Sequence, residues 1–181
     1  MSDSDKLMRQ LRRLSFVPRW QIFPTNRRQS VADHSFHVTT ISMWLMEKHT
    51  RRENNEFTLQ VLLYALTHDA DEAVTGDTPS PNKTPNYDRP QHETVVKLAD
   101  GLEAYAFLME EQKMGNTFVN TPLIDDVLGR TYPYYEKFAW DPHPNGKPSW
   151  PNFLKEFRLT VMHPKWNHPV IEWMMEDKDA D

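Results

Sequence analysis

The chain contains no cysteine. No disulfide can form and no thiolate is available, so any metal ion held here must take histidine, aspartate or glutamate. The absence also suits a reducing cytoplasm. No apolar run approaches the roughly 20 residues that span a bilayer. The opening residues Met1-Ser2-Asp3-Ser4-Asp5 lack a secretory signal pattern, and the sequence predicts a cytoplasmic protein with no membrane partner. An excess of positive charge is missing too. The net charge is -5, which argues against the basic face that nucleic-acid binding uses. Neither an internal repeat nor a low-complexity segment is present. With 181 residues, 38% of them hydrophobic, the chain suits a single domain around one core.

The charge is unevenly placed. Residues 1–28 hold seven basic side chains against Asp3 and Asp5, a local balance of +5 that leaves -10 for the remainder. A small anionic ligand suits that first segment. Within it, Pro18-Arg19-Trp20-Gln21-Ile22-Phe23-Pro24 sets an arginine beside a tryptophan between two stiffening prolines. Such a loop is either an aromatic plug on the core or a place where Arg19 meets a phosphate and Trp20 offers its ring to a base.

Helical periodicity covers most of the chain. Residues 5–14 carry Leu7, Leu11 and Leu14 on one face. Ser30-Val31-Ala32-Asp33 has the form of a capping box, opening a helix to about Lys48 with Val31, His34, Val38, Ile41 and Leu45 inward. His37 lies near the same side. A third helix is expected from about Phe57 to Ala73, its buried stripe being Leu59, Leu62, Leu63, Leu66 and Ala70. Asp69 falls on that stripe beside His68. A bare carboxylate there costs several kcal/mol unless it is paired, protonated or bound to a metal. An adjacent His-Asp pair by itself is commonplace. Here Glu72 stands one turn beyond His68, and Asp77 and Lys83 lie in the proline-rich stretch Thr75–Pro90. Helices are expected again at 91–114, where Asp100 stands among apolar residues, and at 123–137. Two short helices, at 153–162 and 170–175, end the chain.

These motifs occur in one order: Arg19-Trp20, Ser30-Val31-Ala32-Asp33-His34-Ser35, His68-Asp69-Ala70-Asp71-Glu72, Gly76-Asp77-Thr78-Pro79-Ser80-Pro81-Asn82-Lys83 and Lys97-Leu98-Ala99-Asp100. Together they resemble the HD-domain metal-dependent phosphohydrolases, in particular the 5'-deoxynucleotidase branch and its small phage relatives, which include dATP triphosphohydrolases. The resemblance covers about residues 5–115, with 116–181 as a helical and irregular extension. It implies an all-α HD-domain bundle with a proline-rich active-site loop. It also implies a metal site of His34, His68, Asp69 and Asp100, with Glu72 and Asp77 as catalytic carboxylates and Arg19, Trp20 and Lys83 toward substrate. The ion would be one divalent transition metal (Co, Mn, Zn or Fe), the substrate a small-molecule deoxynucleotide, and the protein a homo-oligomer in a bacterium or a phage-infected cell. The implied reaction is hydrolysis of phosphate from 2'-deoxynucleotides by a metal-activated water, from a monophosphate or a triphosphate. The rival reading is a catalytically silent module that binds metal and nucleotide.

Two departures from the family pattern stand out. Asp33 takes the place of a glutamate before the first histidine. Only 31 positions separate Asp69 from Asp100, where family members carry a longer insert, so a site more open on one side is expected.

Overall fold

Asp3–Arg13 forms α1 because Ser2 caps it reciprocally: the Ser2 hydroxyl accepts from the Asp5 amide, and the Asp5 carboxylate accepts from the Ser2 amide. The computed structural model describes residues 2–49, 55–78, 89–138 and 147–161. Among these every element is helical, in keeping with the expected all-α class: α1, a 3-10 turn at Leu14–Phe16, α2 Val31–His49, α3 Asn55–Thr67, α4 Glu72–Thr75, α5 Gln91–Lys113, α6 Thr121–Lys137 and α7 Trp150–Val161. None is long and apolar enough to cross a membrane. The chain forms two compact units, Met1–Lys147 and Pro148–Asp181. Within the second, Trp150 stacks on Phe153 with ring centroids 5.7 Å apart.

The first unit is built around α5, which packs against α2, α3 and α6. Leu98, Leu102, Phe107 and Leu108 are fully buried on it, and so are Val95, Val96 and Ala99. A helix apolar on nearly every side has to sit inside. Its end is a Schellman motif: Gly115 adopts φ 83°, its amide donates to the Gln112 carbonyl, and the Asn116 amide donates to the Glu111 carbonyl. Gly101 lets α6 approach closely, since a Cβ at that position would overlap the Thr131 side chain.

α2 starts as the capping box requires. The Asp33 amide donates to Ser30 Oγ at 3.1 Å, and Asp33 Oδ2 accepts from the Ser30 amide at 3.0 Å. All five expected inward residues, Val31, His34, Val38, Ile41 and Leu45, are buried.

α3 departs from expectation. It stops at Thr67, so His68-Asp69-Ala70-Asp71 form turns and Glu72 opens the separate short α4. The Ala70 amide reaches Thr67, and the Glu72 amide reaches Asp69. The inward face is also different: Val61, Ala65 and Asp69 are buried, while Leu59, Leu63 and Leu66 are 56%, 54% and 42% exposed. Of the expected proline-rich loop only Thr75–Thr78 and Arg89–Pro90 fall among the described residues; Lys83 lies outside them, and so does the expected helix at 170–175.

Candidate metal centre

Three stretches of chain deliver the site. His34 comes from the first turn of α2, His68 and Asp69 from the turn that ends α3, and Asp100 from the middle of α5. One ligand atom from each of His34, His68 and Asp100 lies within 4.8 Å of the others. His34 Nε2 is 3.2 Å from Asp100 Oδ1 and 3.6 Å from Asp69 Oδ2, and His68 Nε2 is 3.2 Å from the same Asp69 oxygen. The short interval between Asp69 and Asp100 therefore does not keep Asp100 from the histidines.

These separations can be compared with a coordination shell. Bonds of 2.0–2.1 Å in tetrahedral geometry put neighbouring ligand atoms about 3.3 Å apart, within the observed range. The two imidazoles present their Nε2 atoms inward because Nδ1 is engaged elsewhere: that of His68 donates to the Ala65 carbonyl at 2.8 Å, and that of His34 bonds Glu103 Oε2 at 2.7 Å. Both Nε2 atoms are buried and neither makes a hydrogen bond of acceptable geometry. Two unsatisfied imidazole nitrogens facing carboxylate oxygens fit a divalent cation.

The electrostatics agree. Burial pushes the Asp69 carboxyl up, but the close approach of His68, 3.2 Å away, outweighs this and holds it low. Burial likewise opposes Asp100, which the Lys97 ammonium 2.9 Å away and His34 hold well below the usual carboxylate range. For His34, burial and the Arg19 guanidinium push down, yet Glu103 and Asp100 leave the imidazole above its ordinary value. Acids around a buried imidazole favour positive charge at the centre, and a proton or a metal ion supplies it.

Beside this centre, Arg19 is held between two carboxylates, with Nη1 3.2 Å from Glu103 Oε2 and Nε 3.8 Å from Asp77 Oδ1. Trp20 adopts φ 61°, a left-handed conformation rare for a bulky residue. Its ring stacks on Phe107 at 5.0 Å and 8°, and its Nε1 donates to Gln29 Oε1 at 2.8 Å. Glu72 is buried and accepts from the Thr78 amide at 3.2 Å. His37, left open by spacing, has a side chain 44% exposed and stands 3.6 Å from Glu103 rather than among the converging ligand atoms. The structure thus gathers His34, His68, Asp69 and Asp100, and links Arg19 to Asp77.

Sequence reasoning missed Glu103, Gln29 and the contact of Phe107 with Trp20. A signal for Glu103 existed: it lies three residues after Asp100, on the same side of an otherwise apolar helix.

Known proteins point the same way. The HD domain family matches residues 11–114, more than half of the chain. A dATP triphosphohydrolase of Salmonella phage PMBT28 is 37% identical over 127 residues, covering 56% of this chain and 66% of that protein. The chain thus spans about two thirds of that relative's length. A 5'-deoxynucleotidase of Pectobacterium atrosepticum is 28% identical over 144 residues, covering 59% of this chain and 72% of that protein. Among solved structures, the cyanophage S-2L HD phosphohydrolase DatZ, bound to dA and one catalytic Zn2+ ion, superposes with a TM-score of 0.61 at 19% identity, over 85% of this chain and 95% of that one. The match across the segment that carries both histidines and both aspartates is extensive enough for a plain conclusion: the chain belongs to the HD domain family.

Proposed function

We propose that this chain is a metal-dependent phosphohydrolase acting on 2'-deoxynucleotides. The observation that carries the reading is the pair of buried, unsatisfied Nε2 atoms of His34 and His68 among the carboxylates of Asp69 and Asp100. These four residues would hold one divalent ion, Co, Mn, Zn or Fe, which suits a mixed nitrogen and oxygen donor set. When bound, such an ion supplies Lewis acidity toward a phosphoryl oxygen and toward water.

The remaining residues take their roles from position and chemistry. Arg19, fixed between Asp77 and Glu103, offers guanidinium N–H donors to a phosphate. Asp77 keeps that arginine in place. Trp20, backed by Phe107, presents an aromatic surface for the base. Glu72 is the carboxylate assigned to proton handling, and Lys83 a second cation for phosphate. The substrate class follows the activities of the phage and bacterial relatives. The 181 residues are read as one HD-type domain with its motif-bearing core at about 5–115, working in the cytoplasm of a bacterium or a phage-infected cell. Assembly as a homo-oligomer is supported by the exposed leucines of α3.

The test is a panel of deoxynucleotide monophosphates and triphosphates against a panel of divalent ions, with products resolved. Metal-dependent release of orthophosphate from dAMP marks a nucleotidase; tripolyphosphate from dATP marks a triphosphohydrolase. A chelator should abolish either. Nucleotide binding with no hydrolysis under any ion would replace the proposal with a silent binding module.

A further inference from the structure

One buried carboxylate joins the two sides of the site, and neither metal ligation nor substrate contact accounts for it. Glu103 is 3% exposed and lies on α5 one turn after Asp100. Its Oε2 meets His34 Nδ1 at 2.7 Å and accepts from Arg19 Nη1 at 3.2 Å. Its Oε1 accepts from Gln29 Nε2 at 2.5 Å, with His37 Nδ1 3.6 Å away. Gln29 in turn accepts from Trp20 Nε1. A single acid therefore contacts a candidate metal ligand, the candidate phosphate arginine and, through one amide, the candidate base platform.

An ionised carboxylate can only accept hydrogen bonds. The proton in the His34 bond therefore sits on Nδ1, which leaves Nε2, facing the oxygens of Asp69 and Asp100, as the atom that would meet a metal ion. A carboxylate behind the far nitrogen of a histidine fixes the ring's orientation and strengthens it as a donor to metal. The loop side needs equal restraint, because Trp20 is held in a backbone conformation that surrounding contacts must maintain.

We propose that Glu103 is a positioning residue that raises metal affinity through His34 and fixes the Arg19–Trp20 loop relative to the ion. This rests on the hydrolase reading. Two links carry the two effects. The bond to His34 governs metal affinity, whereas the chain Glu103–Gln29–Trp20 governs the fit of the nucleotide.

The experiment measures Co2+ affinity of the full chain by competition with a chromophoric chelator, together with the visible Co2+ spectrum and nucleotide KM. The variants are Glu103→Ala, Glu103→Gln and Gln29→Leu. Glu103→Ala should weaken Co2+ binding about 100-fold and Glu103→Gln about 10-fold, because one amide oxygen still accepts but cannot serve all three donors. Gln29→Leu should raise KM while leaving Co2+ affinity as in the parent. Should Glu103→Ala fail to fold, the isosteric Glu103→Gln decides alone. Parent-like Co2+ affinity in the Glu103 variants that fold overturns the inference, as does an equal loss of affinity in Gln29→Leu. A parent chain that takes up no Co2+ overturns the hydrolase reading itself, and that result is distinct from a parent that loads while its variants load equally well.

Discussion

Gly101→Ala tests how closely α5 and α6 meet. Alanine is the better helix former by about 1 kcal/mol, so propensity alone predicts a more stable protein. Packing predicts the opposite. The new Cβ would overlap Thr131 Oγ1 and stand 2.7 Å from Thr131 Cγ2 and 2.9 Å from its Cβ, whereas carbon atoms rest about 3.5–4.0 Å apart. Thr131 has little room to yield: it is buried, β-branched, and its hydroxyl donates to the Val127 carbonyl at 2.7 Å. The two helices must separate by about 1 Å, and overpacking of this kind costs about 1–3 kcal/mol. Offset by propensity, the net loss should be about 0–2 kcal/mol, a fall in Tm of up to about 8 °C for a chain of this size. Denaturant or thermal unfolding of Gly101→Ala, Thr131→Ala and the double variant measures it. The pair should show a coupling of about 1 kcal/mol or more, since truncating Thr131 removes two of the three obstructing atoms. A Gly101→Ala protein more stable than the parent by the full propensity gain of about 1 kcal/mol would refute the close approach.

Two other perturbations probe the segments that hold the site. Ser30→Ala removes the cap from the turn that carries His34 and should cost about 1 kcal/mol, seen as a fall in Tm of about 2–4 °C. Burial pushes the Glu111 carboxyl up, but donors from the Asn116 side chain and the Asn26 and Arg27 amides leave it below its ordinary value of 4.5. A lowered folded value means that this stabilisation is present above pH 4.5 and is lost as pH falls through the folded value. Glu111→Gln should therefore be less stable than the parent by about 2 kcal/mol at neutral pH, with the gap closing below pH 4.5 in unfolding measured across pH 3–7.

Residues whose role is set locally are legible in the sequence. The capping box fixes the start of α2, and spacing alone places His34 on its buried side. Gly115 marks the end of α5. α3 is misleading because leucines at 59, 63 and 66 form a regular stripe, and periodicity names an apolar face without saying what covers it. The face that turns inward bears the smaller Val61 and Ala65. Periodicity also carries the helix through residues 68–71, since no glycine or proline marks a stop there. Asp69 and Asp71 favour turns over helix interiors, and His68 Nδ1 takes the Ala65 carbonyl for itself. Glu103 escapes notice for a related reason: a glutamate in a helix ordinarily belongs to the solvated face, and only the fold brings Arg19, Gln29 and His34 to it.

The segment between α1 and α2 is closed at its neck, where the Arg19 amide donates to the Gln29 carbonyl and the Val31 amide to the Val17 carbonyl, each at 2.9 Å. Trp20 is pinned to Phe107, and the Asn26 and Arg27 amides to Glu111. Between these anchors Pro24 is held as well, its carbonyl accepting from Asn116 Nδ2 at 2.9 Å, which leaves residues 21–23 as the tip. Lengthening a loop costs little, about 0.6 kcal/mol per doubling. That tip, where Phe23 leans on the Trp20 ring, is thus a replaceable module: inserts or exchanges there can reshape what rests against the indole while leaving the entrance to α2 and the course of α5 untouched.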